Sequence, residues 1–375
     1  MPLSDHPLRY ELANELHARP FPTLRAPCHA VFFAIKPEAD AARRDKDVDR
    51  AHLIALLDRM GATHPKPGAT HYFGDLGRHK IKWECHTEFS TYTIFTDGVA
   101  ERPFDPATFD VFPADWLADA PGHRLTSALI RIEKQAGTEQ EMIAKASSWL
   151  VSESLAVSRV LDDAAIMAGD FRIDSAGHLR FAIFVNDTGG PGRLGRLVTR
   201  LTEIETYKTM SMLGLPRARE LNRLMGPLDQ QLTDLVASMT PDMTRPEESL
   251  RSLLDIAAEL ETLRAKSTFR FGATNAYLAL VQERLTTLRE RQFNGRQTFS
   301  EFMARRFDPA MRTIQSMERR LEAMAERANR AGELLRTRVD VERQAQNQEL
   351  LESMDRRAAL QLRLQKTVEG LSVVA

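Results

Sequence analysis

Met311-Arg-Thr-Ile-Gln-Ser-Met-Glu-Arg-Arg-Leu-Glu-Ala-Met-Ala-Glu-Arg-Ala-Asn-Arg-Ala-Gly-Glu-Leu-Leu335 places apolar or small residues at Ile314, Met317, Leu321, Met324, Ala328, Ala331 and Leu335. The steps alternate between three and four, the spacing of a coiled-coil seam or of a helix packed along a partner. Between Pro309 and Lys366 there is no proline and one glycine, Gly332, and good helix formers fill most other positions. The spacing therefore extends into one very long helix, read here from Thr298 to the end. Past Leu335 the seam fades: Arg338, Glu342 and Glu349 take its register, and Val339 and Val341 lie off it. The tract from Arg343 to Gln348 is polar all round, so it borders water inside an assembly or is solvated on every side. A monomer must cover the seam with its other helices or expose it, so the sequence predicts a homo-oligomer.

Arg356, Arg357, Arg363 and Lys366 precede the uncharged run Gly370-Leu-Ser-Val-Val-Ala375. Basic residues before an apolar segment mark the cytoplasmic flank of a membrane helix. The run is too short to span a bilayer, which takes about 20 apolar residues, and a helix end docking its apolar tip on the protein fits the same residues. Met1 to Tyr10 holds no apolar segment of the secretory kind, which places the chain on the cytoplasmic side.

With 375 residues there is room for two domains or more. The 51 basic and 52 acidic residues leave a net charge of −1, which argues against bulk capture of nucleic acid. Cys28 and Cys85 sit in apolar, strand-like surroundings and read as reduced, buried thiols.

Outward from the long helix, the sequence predicts an α+β domain over 1–190, a helical region over 191–297 and the stalk-like helix over 298–375. In the first domain, Cys28 to Ile35 reads as a buried strand and Asp45 to Met60 as a helix closed by Gly61. Lys80 to Thr96 alternates as one long strand or a strand pair, joined to His71-Tyr-Phe73 by a turn at Gly74 to Gly77. A Pro-rich connector over 101–122 carries Phe104, Phe109, Phe112 and Trp116 as anchors to the core. Leu125 to Ile132 reads as a strand, Glu139 to Leu161 as helical, and Phe171 to Val185 as a hairpin around Ser175-Ala-Gly177. After Gly195 no strand is recognisable; helices are expected over 194–213, 216–239, 246–268 and 272–293.

Three constellations carry possible chemistry. Glu84, His86 and Glu88 would share one face of a strand and could hold a divalent cation or share protons, although a solvated sheet face has the same pattern. His71 and His79 would contribute only in a suitable hairpin register. Gly190-Pro-Gly-Arg-Leu-Gly195 matches the dinucleotide fingerprint, but the helical residues that follow lack the second strand such a fold needs. What remains is an anion held by backbone N–H groups with Gly190, Gly192, Arg193, Gly195 and Arg196, or an interdomain loop. His17 and Arg19 flank a Pro-rich turn that could bind an anion or simply pack. Ile204, Tyr207, Met210 and Leu213 form a helical stripe of the core or helix-pair type.

Asn14-Glu-Leu-His-Ala-Arg-Pro-Phe-Pro22, His71-Tyr-Phe-Gly74, Lys82-Trp-Glu-Cys-His-Thr-Glu-Phe89, Glu203-Ile-Glu-Thr-Tyr207 and Gln365 to Ala375 together resemble the bacterial domain-of-unknown-function 3422 family over essentially the whole chain. The resemblance implies a cytoplasmic region that continues past Ala375 into an apolar segment anchored in the inner membrane, and supplies no active site. The plan of an α/β domain, folded-back helices and a long stalk is also similar to CorA-type divalent-cation channels, without their Gly-Met-Asn signature. The expectation is a membrane-anchored, homo-oligomeric sensing, scaffolding or transport-associated protein. A soluble enzyme or metal protein using Glu84, His86 and Glu88 is the alternative.

Overall fold

The computed structural model describes residues 3–15, 21–240 and 245–372, with side chains as far as 364 apart from those of Glu11, Asn14 and Glu15. His17, Arg19 and Val373 to Ala375 lie outside the described residues, as does the side chain of Lys366. The protein is α+β, a mixed sheet followed by helices, and divides into two compact units: Met1–Leu213 with Ala273–Met311, and Gly214–Gly272 with Arg312–Ala375.

The first unit contains α1 (Arg9–Glu15), β1 (Cys28–Lys36), α2 (Lys46–Met60), β2 (His71–Leu76), β3 (His79–Cys85), β4 (Ser90–Asp97), α3 (Ala114–Ala118), β5 (His123–Lys134), α4 (Glu139–Trp149), β6 (Ala156–Val160), β7 (Ala165–Gly169), β8 (Leu179–Val185) and α5 (Pro191–Met212). The strands join β9 (Arg291–Gln292) in a nine-stranded sheet of order β2-β3-β4-β1-β5-β8-β7-β6-β9. Among the described residues only β5 and β8 pair in parallel.

Apolar clusters cover both faces of this sheet. One gathers Val31, Phe33, Trp83, Tyr92, Phe112 and Trp116 with Leu53, Leu56 and Leu57 of α2. The other sets Ala30, Phe32, Phe95 and Phe181 against Leu194, Leu197, Leu201 and Ile204 of α5. Burial on both sides explains why Cys28-His-Ala-Val-Phe-Phe-Ala-Ile35 is apolar almost throughout instead of alternating. Phe104, Phe112 and Trp116 of the Pro-rich connector are buried in the first cluster and Phe109 packs against it, as expected. Both cysteines are free and buried.

The same two-sided burial produces a correction. Glu139 to Leu161 is not one helix: α4 stops at Trp149, and Ala156 to Val160 form β6 with every side chain but Arg159 buried. A strand enclosed on both faces lacks period-two alternation and reads as helix. Leu161, Asp162 and Asp163 all take positive φ, of 59, 56 and 68°, and turn the chain from β6 into β7. The expected hairpin at Ser175 to Gly177 exists, but its first arm is β7, earlier than Phe171. The two-residue β9 is a strand after Gly195 that the sequence does not announce.

The remaining helices are α6 (Gly214–Ala237), α7 (Pro246–Leu288), α8 (Phe299–Arg306) and α9 (Asp308–Ser372). Gly272 does not interrupt α7: a mid-helix glycine costs only about 1 kcal/mol against alanine, which a 43-residue helix absorbs. The terminal helix begins as two pieces. Thr298 and Glu301 form a capping box on α8, and Phe307 separates α8 from α9.

In the second unit, α6, the first part of α7 and α9 as far as Val339 carry buried apolar stripes, among them Leu221, Met225 and Leu232, Leu253 and Leu260, and the long-helix seam itself. Ile314, Leu321, Met324, Ala328, Ala331 and Leu335 are all buried and Met317 half-buried. Val339, expected off the seam, is buried as well. Arg320 and Arg327 of α9 both reach Asp229 of α6, at 3.0 and 3.2 Å. The seam is consumed within the chain, so it supplies no argument for self-association.

Candidate functional site

The long alternating stretch is a hairpin, with β3 ending at Cys85 and β4 starting at Ser90. This corrects the shared strand face: Glu84 lies on β3, whereas His86 and Glu88 occupy the turn. His71 is directly opposite Glu84 on β2, while His79 pairs with Thr96 at the far end of β3, about 17 Å away at 3.3 Å per residue. Glu84 accepts from Lys82 Nζ at 2.9 Å. His86 stacks on Phe89 at 4.4 Å, and Glu88 accepts from Tyr277 Oη at 3.3 Å. Among the described residues no group of three or more His, Cys, Asp or Glu side chains is placed to hold a metal ion. The notch bounded by Glu84, His86, Phe89, Glu203 and Tyr207 measures about 10 Å³, the room of one water at most.

The turn is fixed from a distance. Arg44 Nη2 donates to the carbonyl oxygens of His86 and Phe89, both at 2.8 Å, and Arg44 Nε donates to Asp49 at 2.8 Å. Asp49 also accepts from Ser90 Oγ at 2.6 Å. Both partners of this ion pair are nearly excluded from water, at 8% and 3% side-chain exposure. It is a buried clamp that no local pattern reveals.

Other titratable groups inside this unit are held in similar structural bonds. His52 lies between Tyr92 Oη at 2.9 Å and the Trp116 carbonyl at 3.0 Å, and burial depresses its pKa. His178 bonds Ser127 Oγ at 2.9 Å and is depressed by burial, aided by Arg124. Glu205 on α5 accepts from Thr126, Lys208 and Thr209. Ile204, Tyr207 and Met210 are buried as a core stripe, with Tyr207 stacked on Tyr277 at 5.8 Å.

The glycine motif has a packing role at its third glycine. Gly190 is the N-cap of α5, and Arg193 donates to Leu161 O at 2.6 Å and to Asp162 at 3.1 Å. Gly195 is buried where a Cβ would meet Pro22 O at 1.6 Å. Leu24 N donates to Pro191 O at 3.1 Å in the same strap. The third glycine thus admits the segment before β1 onto α5, while Gly192 faces only the tip of Arg196, 3.8 Å from its would-be Cβ.

The feature left without a structural role is an arm. From 343 to 364 every residue of α9 is exposed, a length of about 33 Å at 1.5 Å per residue. Leu350, Leu351, Met354, Leu360, Leu362 and Leu364 remain 58–65% exposed. At 100° per residue they fall with Ala358 on one broad face, and Glu349, Glu352, Arg356 and Arg363 lie opposite. Arg356 makes a loose i,i+4 pair with Glu352 at 3.7 Å. Arg357 is exposed on the apolar side. No helix among the described residues is long and apolar enough to cross a membrane.

A family model described as "Protein of unknown function (DUF3422)" matches residues 4–375. No curated protein and no solved structure matches the chain.

Proposed function

Because the chain belongs to that family, whose description names no activity, we propose a function from the geometry: a homo-oligomeric scaffold or sensor, held at the cytoplasmic face of a membrane, whose copies meet through the arm at 343–364. The observation that carries this reading is the row of six large apolar side chains on a helix with water on every side. Covering them would contribute on the order of 1 kcal/mol each. Arg356, Arg357 and Arg363 lie on the same arm, and each basic residue near an anionic leaflet is worth about 1 kcal/mol. The likeness to CorA-type channels is an analogy of architecture alone.

Oxidative cross-linking tests the assembly. The native thiols are silent, since burial pushes Cys28 up to about 12 and raises Cys85 as well. Met354→Cys on the apolar face is expected to give disulfide-linked dimers under mild oxidant, and Glu352→Cys on the opposite face to give far fewer. Equal or absent cross-linking in the two variants would refute the arm as the contact. Flotation with anionic vesicles at low salt, reversed near physiological salt, tests the membrane part.

A further inference from the structure

A pocket of about 270 Å³ lies in the first unit, lined by Thr23, Leu24, Arg25, Cys28, Arg78, Lys80, Phe95, Thr96 and Asp97. That is far above the ~10–15 Å³ a single water needs. The ladders explain its inner wall. Lys80 and Ala30 both pair with Phe95, and Cys28 pairs with Asp97, so these side chains leave the sheet on one face, the α5 face. The outer wall is the segment at 23–25, fastened to α5 by the Leu24 to Pro191 hydrogen bond and by the seat of Pro22 on Gly195.

Three cations, Arg25, Arg78 and Lys80, meet one carboxylate, Asp97, around this space. Among the described residues neither Arg25 nor Lys80 is held in an ion pair. Arg78 is oriented by a relay: its Nε donates to His79 Nε2 at 3.1 Å, and His79 Nδ1 meets Thr96 Oγ1 at 2.6 Å. The relay requires a neutral imidazole that donates from Nδ1 and accepts at Nε2, and burial with the nearby Arg78 and His29 depresses the His79 pKa in that sense. Holding Arg78 by Nε leaves its terminal N–H groups for an acceptor, the fork that fits a phosphate.

We propose that this pocket is a binding site for a phosphate-type anion, gripped by Arg78 and Lys80 with Arg25 closing over it, and with Leu24 and Phe95 as the apolar parts of its two walls. The site stands on its own residues and is independent of the arm. Its shared chemistry, a phosphate group, is found both in free pyrophosphate and in a phosphatidic acid headgroup, and the two are separable.

Calorimetric titration of the full chain with pyrophosphate at constant ionic strength is the test, alongside flotation with phosphatidic acid vesicles. Saturable binding that weakens at least tenfold in Arg78→Ala/Lys80→Ala and tightens severalfold in Asp97→Asn is the expected result. Arg78, Lys80 and Asp97 are exposed, so these variants should keep the wild-type melting temperature. Pyrophosphate binding lost in the double variant identifies a free anion, and vesicle capture lost in it identifies a headgroup. Binding that is absent, non-saturable, or equal in wild type and variants would overturn the proposal.

Discussion

Gly195 on α5 lies so close beneath Pro22 that a Cβ on the glycine would sit 1.6 Å from the Pro22 carbonyl oxygen. Backbone cannot yield by that amount locally, so Gly195→Ala must lift the strap before β1 or shift α5. The expected cost is about 1–3 kcal/mol or more, as for overpacking of a tight core. Gly192→Ala should be nearly neutral, because only the flexible end of Arg196 is near. Thermal melts of the two variants check this; equal sensitivity would return the motif to a ligand-binding role.

Arg44 and Asp49 predict a second asymmetry. Asp49→Ala leaves a buried guanidinium without its carboxylate and Ser90 without its acceptor, which should cost about 3–5 kcal/mol. Denaturant unfolding measures it. Glu88→Gln retains an acceptor for Tyr277 and should cost less than Asp49→Ala.

The buried histidines set a pH dependence. His52 and His178 have folded pKa values lowered by burial, against an unfolded value of about 6.5. Above that value both states are neutral and stability is full. As pH falls from about 6.5 toward the lower folded values, the unfolded chain binds protons that the folded chain refuses. Stability should then fall by up to about 1.4 kcal/mol per pH unit per histidine. Melts between pH 7.5 and 5.5 check the sign, and His178→Gln should flatten the slope.

Local signals made much of the fold legible. Helix α2 was readable to its ends because Asp45 caps its first turn and Gly61, at φ 64°, closes its last. The seam from Ile314 to Leu335 was legible as a buried stripe, but not what buries it, since periodicity is blind to the partner. Strand β6 was hidden because both of its faces are apolar. The shared strand face of Glu84, His86 and Glu88 was misread because the turn at His86 to Phe89 has no glycine or proline; Arg44, 42 residues before His86, holds it. The basic pocket was equally hidden, as Arg25 and Lys80 meet only through strand register and the strap on α5.

The arm is the centre of this account, and light scattering on the intact chain tests it most directly. The wild type is expected to show a mass above that of the 42.3 kDa monomer at high concentration. The triple variant Leu350→Gln/Met354→Gln/Leu362→Gln should be monomeric with an unchanged melting temperature, because those side chains contribute nothing to either unit's core. A wild type that stays at the monomer mass, or a triple variant that assembles as the wild type does, would contradict the claim.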